Sequence, residues 1–218
     1  MITTVGRRLR LAMGKTPEQP PEPDARSTAP ALPPEVEFIG YAEDSVVTGH
    51  IRLDGARLSD LLNDHDQFEL VGVQVESLAG DRTLEVQDIV VGRDELLAVQ
   101  ALGPRGERER RIRTRQHPLA IRLGPYHVRG YLHALPGVDP IASFRHRKPM
   151  VPLTDAWVEF ELGGVRQRRR AGTFLVNRQQ VDWVIEADEA EVDMPGLPVQ
   201  PAKGALVKDF TGDIVGRS

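Results

Sequence analysis

The sequence predicts a mainly β protein with short helices: two tandem small units, barrel-like or bent-sheet and β-α-β-β-β each, packed as a pseudo-dimer between disordered termini. Three observations predict it. Apolar and polar residues alternate over short runs, as half-buried strands require. The order of these runs recurs after 81 to 85 residues. Proline-rich stretches bracket the region that carries them. Residues 16–34 hold seven prolines, and a second run spans Met194 to Pro201. Such stretches are extended and bury no core.

The boundaries follow from these shifts. Residues 1–35 form a basic segment and Pro-rich linker, 36–100 an acidic β-rich unit, and 101–118 a basic connector. Residues 119–187 form a basic β-rich unit and 188–218 an acidic, Pro-containing tail. In the first unit Val47, Gly49, Ile51 and Leu53 alternate with Thr48, His50 and Arg52. In the second, Val128, Gly130, Leu132 and Ala134 alternate with Arg129, Tyr131 and His133. A short helix is expected next. Leu58, Leu61 and Leu62 have helical spacing in the first unit. In the second, Asp139 is a good N-cap and Pro140 suits the first helical position. Strands follow at Val71, Val73 and Val75, and at Ala156, Val158 and Phe160. Each unit then reaches a matching stretch, V-V-G-R-D-E at 90–95 and L-V-N-R-Q-Q at 175–180. Gly92 and Asn177 tolerate positive φ, so a hairpin turn is expected at both. Leu96 with Ala98, and Val181 with Trp183, complete the pattern. The connector's Ile112 alternates with arginines, which leaves room for an exposed strand there.

A strand of the form Gly-x-Ile (Gly49–Ile51), the stretch R-L-S-D-L-L-N (Arg57–Asn63), and a V-V-G-R turn (Val90–Arg93) resemble a bacterial family of small β-rich domains of unknown function. A looser echo runs from Gly130 to Arg178, with Asp139-Pro140-Ile141-Ala142 in place of the Leu-Ser-Asp-Leu-Leu core. The resemblance implies a compact β-rich module in two tandem copies. It transfers no activity and no site residues.

Charge is the most informative feature. The formal net charge is −4, but it is unevenly placed. Residues 36–100 hold fourteen acids against four arginines, a net of −10. Residues 101–178 hold sixteen bases against six acids, a net of +10. Opposite patches on like units attract, within a chain or between chains. A heterologous contact of that kind builds rings or filaments. The expected function is therefore a non-enzymatic adaptor or assembly module, binding protein partners or itself through its oppositely charged halves. Asp60, Asp64 and Asp66 are the candidate acidic patch. The alternative is nucleic-acid or other phosphate binding by three basic clusters. These are Arg108, Arg110, Arg111, Arg113 and Arg115; Arg145, Arg147 and Lys148; and Arg166, Arg168, Arg169 and Arg170. The low aromatic content, 5%, and the acidic first unit weigh against that alternative.

Little else in the sequence carries chemistry. There is no cysteine, which removes disulfides and thiolate sites and fits a reducing cytoplasm, the expected location. No run of about 18 apolar residues predicts a membrane span. Residues 1–15 could form a basic amphipathic foot for peripheral membrane contact. The six histidines show no metal-ligand spacing, and Asp60, Asp64 and Asp66 lack the glycine and terminal glutamate of a calcium loop. No nucleophile elbow or phosphate loop is present. Neither catalytic residues, a metal nor a cofactor is expected.

Overall fold

The structure, a computed structural model, describes residues 33–53, 57–103, 113–189 and 192. The basic N-terminal segment, most of the tail, and Arg108, Arg110 and Arg111 of the connector lie outside the described residues.

Ten strands form one antiparallel sheet. They are β1 (Glu35–Ala42), β2 (Ser45–Arg52), β3 (Gln67–Ser77), β4 (Thr83–Gly92), β5 (Leu96–Ala101), β6 (Arg115–Leu123), β7 (Tyr126–Ala134), β8 (Met150–Leu162), β9 (Val165–Asn177) and β10 (Trp183–Glu186). Helix α1 (Leu58–Asp64) links β2 to β3, and α2 (Pro140–Arg145) links β7 to β8. The order across the sheet is β10-β6-β7-β8-β9-β5-β1-β2-β3-β4. Each half thus places its last strand beside its first.

The local chemistry explains most elements. Asp139 caps α2 as its sequence context indicates: its carboxylate accepts from the backbone N–H of Ile141 at 2.8 Å and of Ala142 at 3.2 Å. Leu58, Leu61 and Leu62 form the buried face of α1. Both β2–β3 and β7–β8 slip register by one residue at the same place, opposite Gly49 and Gly130. The extra residues there, Gly72 and Asp155, have φ of +59° and +47°, the conformation a bulge of this type needs. A Cβ on Gly130 would meet the Cβ of Ala156 at 2.5 Å, so only glycine lets the bulged strand approach this closely.

Two expectations need correction. Each half begins with a strand that was not expected, β1 and β6, so the order is β-β-α-β-β-β. β1 was hidden because both its faces are covered: Phe38 enters one core and Tyr41 the other, which erases the alternation. β6 was hidden behind arginines and Pro118. The expected connector in fact ends in a strand whose Arg115 to Pro118 pair with Ala134 to Tyr131. The second correction concerns the matched V-G-R and V-N-R stretches. They are not hairpins, because Gly92 and Asn177 have φ of −78° and −74°. Each leads into a 3-10 turn, Arg93–Glu95 or Arg178–Gln180. These turns carry the chain from the half's fourth strand to the far side of its first.

The buried side chains fall into two cores, and each core draws on both halves. Tyr41, Val46, Leu97 and Ala98 join the core of β6–β9. Met150 and Leu175 join the core of β1–β5. An aromatic group centres on Tyr41, whose ring lies 5.4 Å from Tyr126, 5.7 Å from Phe160 and 5.8 Å from Phe174. Burial pushes the Tyr41 phenol up to about 12, with the Arg169 guanidinium opposing.

Candidate assembly interface

The halves meet along one seam, where β5 pairs with β9. Ala98 faces Val176, Val99 faces Leu175 and Gln100 faces Phe174. A fourth strand of one half thus pairs with a fifth strand of the other. The seam is dry: Val99 is 0% exposed and Leu175 1%. Two side-chain amides, one fully buried, fasten it. The Asn177 side-chain amide donates to the carbonyls of Leu96 at 3.0 Å and Arg93 at 3.3 Å, and its oxygen accepts from the Gln179 N–H at 3.2 Å. On α1, the Asn63 amide donates to the Met150 carbonyl at 3.0 Å and accepts from the Met150 N–H at 2.9 Å. An ion pair of 2.7 Å joins Lys148 to Asp64 at the rim. Their hydrogen bond holds the Asp64 carboxyl below and the Lys148 ammonium above the ordinary ranges.

The sheet ends in β4 on one side and β10 on the other, and no further strand pairs with either among the described residues. The registers locate these edges. Gln67 faces Gly92 in β3–β4, just as Met150 faces Asn177 in β8–β9. Tyr41 faces Ala98 in β1–β5, just as Arg122 faces Trp183 in β6–β10. In register, β4 therefore stands to the first half as β9 does to the second, and β10 stands to the second as β5 does to the first. Position by position, Val90 corresponds to Leu175 and Val184 to Val99. Val90 is 67% exposed, and Leu84 on the same strand is 60% exposed. Val184 is half-buried.

The basic residues singled out in the sequence do not all share one face, although Arg166, Arg168 and Arg170 lie on the same exposed face of β9. Arg166 and Arg168 both hold Glu159, a carboxylate only 5% exposed. Burial alone would raise Glu159, but these two hydrogen bonds hold its carboxyl below the usual range. Arg129 and Arg168 flank the Trp157 ring, each 5.1 Å from its centroid, in cation–π geometry. Arg170 faces Trp157 in register and is exposed. Arg169 points the other way, over Phe160 at 5.5 Å. Arg147 donates to the His133 carbonyl, and Arg145 ends α2. Arg113 and Arg115 are exposed at the start of β6. The three aspartates also separate: Asp64 holds Lys148, Asp66 holds Arg93 at 2.7 Å, and Asp60 is exposed on α1.

The strand alternation that turns Ala156, Val158 and Phe160 to one face leaves Trp157 on the other. The side chain is nonetheless only 4% exposed: Arg129 and Arg168 lie over its ring, and the Val192 carbonyl accepts from the indole N–H at 2.8 Å. Asn63, Asn177 and Glu159 were missed as structural anchors. Asn177 was read as a turn residue, and nothing local marks the partner it reaches 81 residues away. No helix among the described residues is long and apolar enough to cross a membrane. Compared with known protein families, curated proteins and solved structures, the chain matches none.

Proposed function

We propose that this chain is a non-enzymatic assembly module: two like β-rich units, one acidic and one basic, joined head to tail as a pseudo-dimer and acting by self-association or protein binding. The observation that carries this reading is the β5–β9 seam. It is a heterologous contact, in which one strand edge of a unit meets a different edge of its neighbour. A unit that can make such a contact inside one chain has two non-identical adhesive edges. The net −10 of residues 36–100 and +10 of residues 101–178 add long-range attraction, which steers association and weakens with salt. Pairing of Arg166 and Arg168 with Glu159, and the turning of Arg169 over Phe160, weigh against nucleic-acid binding, although Arg166, Arg168 and Arg170 share one exposed face of β9.

The test is mass in solution over a concentration series at low and physiological salt, with and without added nucleic acid. The expected result is species larger than the 24.2 kDa chain at low salt, dissociating as salt rises, with no change on adding nucleic acid. A monomer at every concentration and salt, or binding only to nucleic acid, would refute the reading.

A further inference from the structure

The seam inside the chain prescribes how two chains would meet. We infer that β4 of one copy pairs antiparallel with β10 of the next, reproducing β5–β9 between molecules. The inference rests on the self-association reading above and specifies its surface, its partner (a second copy of this chain) and its register.

Three observations support it. First, the two edges left unpaired among the described residues are the two kinds that already pair. β9 meets β5 within the chain, and the strands left over occupy the corresponding positions, β4 and β10. Transferring the pairs Ala98–Val176, Val99–Leu175 and Gln100–Phe174 to the equivalent positions sets Trp183 opposite Val91, Val184 opposite Val90, and Ile185 opposite Ile89 of the next copy.

Second, the apolar side chains that this register needs are in place. Leu175 crosses the internal seam into the neighbouring core and is 1% exposed. Its counterpart Val90 is an aliphatic side chain left 67% in water, on a ten-residue edge strand. Proteins normally protect such an edge with charge, proline or a covering segment, because its free N–H and C=O groups template pairing.

Third, the charges match. Inside the chain, the end of α1 meets the segment before β8, where Asp64 holds Lys148. The corresponding contact between copies brings the end of α2, with Arg145 and His146, toward the segment before β3, with nearby Glu69 and with Asp66, which also holds Arg93 of its own chain. The interaction is preserved with its sign reversed. The seam between copies is also more polar than the internal one, because Gln67 and Glu69 stand where Met150 and Pro152 stand. The contact between chains is therefore weaker and more salt-sensitive than the contact within one. Because the joined edges differ, each added copy leaves one free edge of each kind, and growth ends only when a ring closes.

The chain lacks cysteine, so engineered pairs can be read without background. Val90→Cys and Val184→Cys are prepared as separate full-length proteins and oxidised alone and mixed, at low salt. The expected result is a covalent dimer only in the mixture. The double variant V90C/V184C is expected to give a ladder or a closed covalent ring. Pairing Glu85→Cys with Val184→Cys is expected to give no dimer, because it is out of register. Dimers from Val90→Cys alone would mean β4 meets β4, which overturns the inference. Species above 24.2 kDa that show no mixed cross-link overturn the inference and leave self-association standing. A monomer under every condition overturns both. Val90→Lys, at an exposed site, supplies a second readout: loss of the larger species with an unchanged melting temperature.

Discussion

Asn177 offers the sharpest test of how the halves are fastened. Its amide is fully buried and donates to the carbonyls of Leu96 and Arg93, while its oxygen accepts from Gln179. Truncation to alanine strands these groups. An unsatisfied buried group costs about 1–3 kcal/mol, and the Arg93 contact is the longer one, so Asn177→Ala should lose about 2–4 kcal/mol. Asn177→Asp is more informative because it keeps the shape. The oxygen that accepts from Gln179 remains, but the second oxygen now faces two carbonyls. A buried charge without a partner costs about 3–5 kcal/mol, so this isosteric change should be worse than alanine at neutral pH. The pH dependence follows from the same geometry. The neutral acid can donate to one carbonyl, so the folded state favours protonation and raises the pKa above the unfolded value of about 3.9. The deficit is full above the folded pKa and narrows as pH falls toward the unfolded one. Urea unfolding followed by tryptophan fluorescence at pH 7.5 and pH 4.5 measures both effects. An aspartate variant within about 0.5 kcal/mol of wild type at pH 7.5, or a deficit that widens on acidification, would refute the argument.

Further expectations rest on the second half. Glu159 is held below its ordinary pKa, so its contribution is present above the unfolded value of about 4.3 and is lost as pH falls through the folded one. Glu159→Gln should cost about 1–2 kcal/mol at pH 7, and in acid unfolding curves the difference should begin to shrink below about pH 4.3 and close as pH falls through the folded pKa. Gly130→Ala should cost about 1–3 kcal/mol by thermal unfolding, because its Cβ would sit 2.5 Å from that of Ala156. Gly49→Ala should be milder, with its nearest neighbour at 3.1 Å. Ending the chain after Ala187 removes the Val192 carbonyl from the Trp157 indole. Trp157 emission should shift to the red with far-UV circular dichroism little changed. An unshifted spectrum in a Trp183→Phe background would show that the segment does not cover Trp157.

The sequence by itself determined the elements that obey local rules. Alternation fixes β2, β3, β7 and β8, because apolar and polar residues alternate along each; in β2 and β3 the polar face is partly exposed, whereas in β7 and β8 the other face is covered too, burying Arg129, Trp157 and Glu159. Asp139 and Pro140 fix the start of α2, because capping is satisfied within three residues. The charge division between the halves is a property of composition alone.

Only the tertiary structure decided the rest. β1 has no single dry face, since one core takes Phe38 and the other takes Tyr41. A period-two reading has nothing to detect there. Asn177 could be a turn residue or a buried anchor, and the difference is set by carbonyls of Arg93 and Leu96 that the sequence places far away. The arginines at 166–170 form one cluster in the sequence, but a strand sends successive side chains to opposite faces. Arg168 goes to Glu159 and Arg169 to Phe160. Val90 and Leu175 look alike as letters. One is buried and the other bare because a strand's second edge is filled by whichever strand lies beside it, and that neighbour is chosen by long-range pairing.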